Sequence, residues 1–179
     1  MRSPAGLGRT TVQRALQSVA LVAAVAALAT GCGAGTIQRT APGIDHSTTT
    51  TSADGTDWST EARNVDLAIT DAVVQLGPSG TARLDFTVDN KGPVTEHLAV
   101  VTVAGQNQAT LQGSAGPINA LSTAGIMIDS DSSVTFGAGS PSVQLPTAKG
   151  LTAGGTTPVL IDFAIAGAVH LTVPIKAAA

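Results

Sequence analysis

The sequence predicts an all-β chain, an antiparallel sandwich of about eight or nine short strands. Three observations carry that prediction. From Asn64 onward apolar residues recur with period two, the spacing that sets alternate side chains on one face of a strand. The same region is rich in Val, Thr, Leu and Ile, and it is punctuated by Gly, Pro, Asn and Asp clusters. No segment carries a helical apolar stripe longer than a turn or two.

Taken in order, Val65, Leu67 and Ile69 alternate with Asp66, Ala68 and Thr70, and Val73, Val74 and Leu76 continue the strand. Gly77, Pro78, Ser79 and Gly80 supply turn chemistry. Leu84, Phe86 and Val88 then alternate with Arg83, Asp85, Thr87 and Asp89, and the strand ends in Asn90-Lys91-Gly92-Pro93. Residues 97–103 form a more continuous apolar strand that Gly105, Gln106 and Asn107 interrupt. A weaker strand covers 109–112, and 113–124 is a loop of small residues. Short strands follow at 126–128, 134–136 and 143–145. Residues 158–165 and 168–175 are stronger, and Ala166-Gly167 joins them as a hairpin.

Ahead of this body lie two segments of different character. Arg2, Arg9 and Arg14 make a positive start, and residues 19–29 are an apolar run. Ala29-Thr30-Gly31-Cys32 then gives the small side chains of a cleavage site. The pattern resembles a bacterial lipobox with Cys32 as the lipidated residue, although Ala29 stands where leucine is usual and Leu28 lies one step back. The alternatives are an ordinary secretory signal and an uncleaved membrane helix. The apolar run is short of the about 20 residues needed to cross a bilayer. Residues 1–31 are thus expected to be a signal peptide, 32–62 a flexible tether and 63–179 the sandwich. Ser47, Thr48, Thr49, Thr50, Thr51 and Ser52 make the tether low in complexity, a spacer or a carrier of O-linked sugar. Trp58 at its end is placed to dock on the domain edge.

Acylation has a physical consequence. Each buried methylene contributes about 0.8 kcal/mol, so stable attachment takes more than one acyl chain, and a lipidated cysteine carries them. Cys32 is the only cysteine, so no disulfide braces the domain and its core must hold it. Three of the nine basic residues lie in the leader while all twelve acidic ones follow it. The cleaved chain therefore carries a net charge of about −6. Such a surface argues against nucleic acid and against direct attraction to anionic headgroups. Four aromatic residues, Trp58, Phe86, Phe136 and Phe163, are too few for a sugar cleft or a base-stacking platform.

Candidate chemistry is sparse. No Gly-x-Ser-x-Gly, His-Glu-x-x-His, Ser-x-x-Lys or phosphate-cradling glycine loop occurs, which argues against an enzyme. Asp129-Ser130-Asp131-Ser132-Ser133 opens like a calcium loop but has Val134 at the sixth position and Ser140 at the twelfth. His46 falls in the tether. His97 starts a strand beside Glu96, and His170 falls on the face opposite Val169 and Leu171, with Thr172. If His97 and His170 met across strands they could share a metal. Met127 lies in an apolar strand, where core filling is the plain expectation.

The order of strands and turns resembles the PCuAC (DUF461) family of exported bacterial copper chaperones. The matching pieces are 65–74, Leu84 to Gly92 with its asparagine turn, 97–101, and 133–139. The most specific are Leu151-Thr152-Ala153-Gly154-Gly155, then 159–163, Ala166-Gly167 and 169–175. The leader and tether resemble a narrower group, the LpqE-type lipoproteins of the actinobacterial envelope. The resemblance implies a cupredoxin-like (Ig-like) sandwich. It also implies a Cu(I) site of histidine and methionine, soft ligands suited to that ion. The family's first histidine falls near Gln112, its methionine-rich turn on Gly116-Pro117-Ile118-Asn119, and its His-x-Met pair on Ser142-Val143-Gln144. Those ligands are substituted here, and no cofactor is expected.

The expected protein is a non-enzymatic module held to the cell membrane through Cys32, on the extracytoplasmic face. Its partner is an envelope protein, a lipid or a glycan, met by the loops at 113–124 and 138–146, and nucleic acid is excluded. A copper chaperone using altered ligands (His97, His170 or Met127) is the alternative, and a purely structural lipoprotein is the third possibility.

Overall fold

The computed structural model describes residues 38–39, 46–62 and 64–177. The leader and Cys32, with the expected lipidation, lie outside the described residues. In chain order the strands are β1 (Gln38–Arg39), β2 (His46–Thr51), β3 (Thr56–Ala62), β4 (Val65–Leu76) and β5 (Ala82–Asn90). Then come β6 (Glu96–Val103), β7 (Thr110–Gln112), β8 (Leu121–Ser122) and β9 (Gly125–Ile128). The last are β10 (Ser132–Phe136), β11 (Ser142–Leu145), β12 (Thr156–Phe163) and β13 (Gly167–Ala177). A single 3-10 turn, Pro78–Gly80, joins β4 to β5. Among the described residues no helix is long and apolar enough to cross a membrane.

Two antiparallel layers enclose the core. One runs β1-β2-β3-β4-β5, with β10 and β11 end to end along the far edge of β5 and β7 outside β11. The other runs β13-β12-β6-β9-β8. They join where the end of β13 lies parallel to β4, Ile175–Ala177 beside Val74–Leu76. Strands β4 to β7 and β9 to β13 are the ones the alternation predicts, and the all-β sandwich stands.

Alternation explains the layers. Leu84, Phe86 and Val88 point inward from β5, while Arg83, Asp85, Thr87 and Asp89 point out. Phe86 faces Phe136 across the β5–β10 pair, their rings stacked at 4.6 Å and 14°. The other layer adds Leu98, Val101, Ile126, Ile128, Ile161 and Phe163, all buried. Each such side chain contributes about 1.5–3 kcal/mol. β4 is bent by a bulge at Asp71, where φ is 56° and the register with β5 shifts. β4 pairs with β3 from Val65 to Ala72, and with β13 from Val74 to Leu76. The start of β3 approaches this bulge so closely that a Cβ on Gly55 would lie 2.8 Å from the Asp71 Cα, so only glycine fits.

The tether expectation needs correction from residue 46 onward. β2 and β3 form a hairpin whose second strand pairs with β4 from Ala72 back to Val65. The sandwich thus begins before residue 63. Threonine explains the difference: a polar run reads as a linker by composition, but its β-branched side chains favour extended backbone. Thr56 and Thr60 are buried, and Trp58 between them packs half-buried against the core. The Thr56 hydroxyl donates to the Thr172 carbonyl at 2.7 Å, which ties the hairpin to β13.

Candidate functional site

The β7–β11 pair and the loop after β7 hold the positions that the family resemblance singles out. Gln112 closes β7 and stands opposite Ser142, the first residue of β11, while Gln144 stands opposite Thr110. The loops after β7 and before β11 therefore leave at the same end. Gln144 donates an amide N–H to the Ser142 hydroxyl at 3.5 Å, and that hydroxyl donates to the Gln112 side-chain carbonyl at 3.2 Å. Gln112 and Ser142, thirty positions apart, thus form one short chain with Gln144. Cu(I), the ion the resemblance implies, favours thioether and imidazole donors. Amide and hydroxyl atoms bonded to each other do not fit it.

The loop following Gln112 is a closed one. A Cβ on Gly113 would collide with the backbone of Ala120 and Leu121, so glycine alone allows the neck to close. Ser114 donates its N–H to the Asn119 carbonyl at 2.9 Å, and Asn119 takes a φ of 56° to complete the turn. The loop was expected to lack strands, yet Leu121–Ser122 pairs with Ile126 and Gly125 as β8. Ile118 is 66% exposed and Leu121 51%, two large apolar side chains on one small loop.

The remaining candidates separate. His97 and His170 do not meet. β12 lies between their strands, His170 stands opposite Leu160, and His97 stands opposite Met127 on β9. Met127 is half-buried between the fully buried Ile126 and Ile128, so it faces outward beside His97 instead of filling the core. Alternation predicts this, since a strand in an outer layer buries only every second residue. His170 is exposed, as is Thr172 on the same face. For His46 the backbone pairs with Glu61. Among the described residues no three of His, Cys, Asp and Glu converge as a metal site. Asp129 to Asp131 link β9 to β10: Asp131 takes φ 51°, and the hydroxyl of Ser132, which opens β10, donates to the Asp129 carbonyl at 2.7 Å.

Two polar residues matter more than the sequence suggests. Glu96 is 3% exposed at the start of β6. Its Oε1 accepts the N–H groups of His97 at 2.8 Å and Ile165 at 2.9 Å, and its Oε2 accepts that of Ala166 at 2.8 Å. The carboxylate thereby fastens the β12–β13 turn, and charge-assisted bonds offset its loss of water. Asn90 is equally buried. Its amide N–H groups reach the carbonyls of Val94, Ile128 and Asp129 at 2.9, 3.2 and 3.1 Å, and its Oδ1 accepts the Gly92 N–H at 3.2 Å. The asparagine turn is visible in sequence. Glu96 gives only a weak signal, one charge heading an apolar strand.

No family model matches the chain, and no curated protein matches it. Solved structures do. The copper-bound PCuAC domain from PmoF2 aligns with a TM-score of 0.52 at 21% identity, over 63% of this chain and 93% of that one. The apo PCuAC domain from PmoF1 gives 0.52 at 20%, over 63% and 94%. The apo PCuAC domain of PmoF2 gives 0.52 at 22%, over 62% and 90%. The fold is PCuAC-like. At this identity the likeness concerns the fold alone, and it agrees with the cupredoxin-like sandwich read from the sequence. Within the PCuAC-like fold, the Gln112–Ser142–Gln144 chain and the 113–120 loop share one end of the sandwich.

Proposed function

We propose that this is a non-enzymatic, lipid-anchored protein of the cell envelope, of the LpqE type, whose PCuAC-like sandwich serves as a binding or assembly module without a copper site. The supporting observation is the Gln112–Ser142–Gln144 chain: the positions matched to copper ligands carry hard donors that bond to one another. The adjoining loop presents Ile118 and Leu121 to solvent, which suits contact with an envelope protein, lipid or glycan. Acylation of Cys32 would hold the domain at the extracytoplasmic face of the membrane. Labelling with a fatty-acid probe tests that part, and Cys32→Ser should abolish both the label and membrane retention.

The binding role is tested by capture from detergent-solubilised envelope. A component retained by the natural chain and lost with Ile118→Ser/Leu121→Ser supports it. Absence of any loop-dependent component supports a purely structural lipoprotein. The second reading, a copper chaperone with altered ligands, draws on the register that sets His97 opposite Met127. Titration with Cu(I) against a chromogenic chelator separates the two. The proposal expects the chelator to keep the metal. Stoichiometric withdrawal that disappears in His97→Ala or Met127→Leu would establish the chaperone instead.

A further inference from the structure

On the solvent side, where β13 joins the first layer, four residues from four strands stand in one row. Gln144 of β11 is opposite Arg83 of β5, Arg83 is opposite Gln75 of β4, and Gln75 is beside Lys176 of β13. Register partners on adjacent strands place their side chains within contact reach. Three of them, Gln75, Arg83 and Gln144, line a pocket of about 70 Å³ together with Gly77, Thr81 and Ala138. That space holds a few water molecules or one small polyatomic group.

The wall carries one cation and two side-chain amides, each able to turn an N–H group inward. Arg83 donates its Nε–H to Asp85 Oδ1 at 2.7 Å, and among the described residues no bond engages its two terminal nitrogens. Guanidinium nitrogens only donate, and their fork matches two oxygens of a carboxylate or phosphate. Among the described residues the Gln75 amide has no hydrogen-bond partner, and the Gln144 amide has only the long bond to Ser142. Asp85 sits on the Nε side and is not part of the wall. Lys176 adds a second cation at the end of the row, where Asp54 holds its ammonium group.

We infer that Arg83, Gln75 and Gln144 form a binding subsite for a small oxyanion, a phosphate or carboxylate group. The subsite lies beyond the function proposed above and stands independently of it, because it requires neither the lipid anchor nor the absence of copper. Asp85 tempers the site by taking one edge of the guanidinium and opposing the incoming charge.

The test is an NMR titration of the full chain in non-ionic detergent, following the side-chain amides of Gln75 and Gln144 and the Arg83 Nε–H. Inorganic phosphate or acetate should produce saturable shifts at these groups. Arg83→Gln should weaken binding at least tenfold, and Gln144→Leu, which keeps the charge, should weaken it several-fold. Asp85→Asn should tighten it, an effect that a merely structural ion pair would not give. Preference for phosphate assigns a phosphoryl ligand, and preference for acetate assigns a carboxylate. Shifts that fail to saturate, or that persist unchanged in both Arg83→Gln and Gln144→Leu, would overturn the inference.

Discussion

Glu96 and Asn90 bond to backbone groups of distant segments and are almost wholly buried, whereas Gln112, Ser142 and Gln144 bond mainly to one another at the rim of the β7–β11 pair. Both groups are polar clusters in the same sandwich. Removing a member of the first leaves buried or part-buried backbone groups without their partners. Removing a member of the second leaves groups that water can reach, Ser142 excepted. Architecture depends on the first cluster, and the second is open to replacement.

The largest effect should follow from Glu96→Ala, which strands the N–H groups of Ile165 and Ala166. The expected loss is about 3 kcal/mol or more, and thermal unfolding should show Tm lowered by roughly 6–12 °C. An unchanged Tm would mean that the carboxylate is dispensable and that the two clusters do not differ. A smaller effect should follow from Thr56→Val, which keeps the shape and loses the bond to Thr172, at a cost of about 1 kcal/mol. Trp58 is the only tryptophan, so its fluorescence reports whether the β2–β3 hairpin stays docked. Gln112→Ala should cost least, within about 0.5 kcal/mol, because Gln112 is exposed and releases only one bond from Ser142.

The strands from Val65 onward were legible because one face of each is buried and period two survives in the sequence. β5 is the clearest case, with Leu84, Phe86 and Val88 inward and charges outward. The β2–β3 hairpin was not legible, because a threonine run has the composition of a linker and the β-propensity of a strand. Met127 was misplaced because three apolar residues in succession hide which of them faces out. Among the candidate site residues, strand alternation placed His170 correctly. Only register could show that His97 faces Met127, or that Gln75, Arg83 and Gln144 stand in a row. The role of Glu96 depends on a turn 69 residues away, and no local pattern announces such a contact.

The function proposed above holds that Gln112, Ser142 and Gln144 stand, in a PCuAC-like sandwich, where a copper site would need soft donors. It is tested most directly by supplying them. The triple variant Gln112→His, Ser142→His, Gln144→Met should withdraw one equivalent of Cu(I) from a chromogenic chelator, while the natural chain leaves the metal with the chelator. Tight binding by the natural chain, or none by the folded triple variant, would contradict the account.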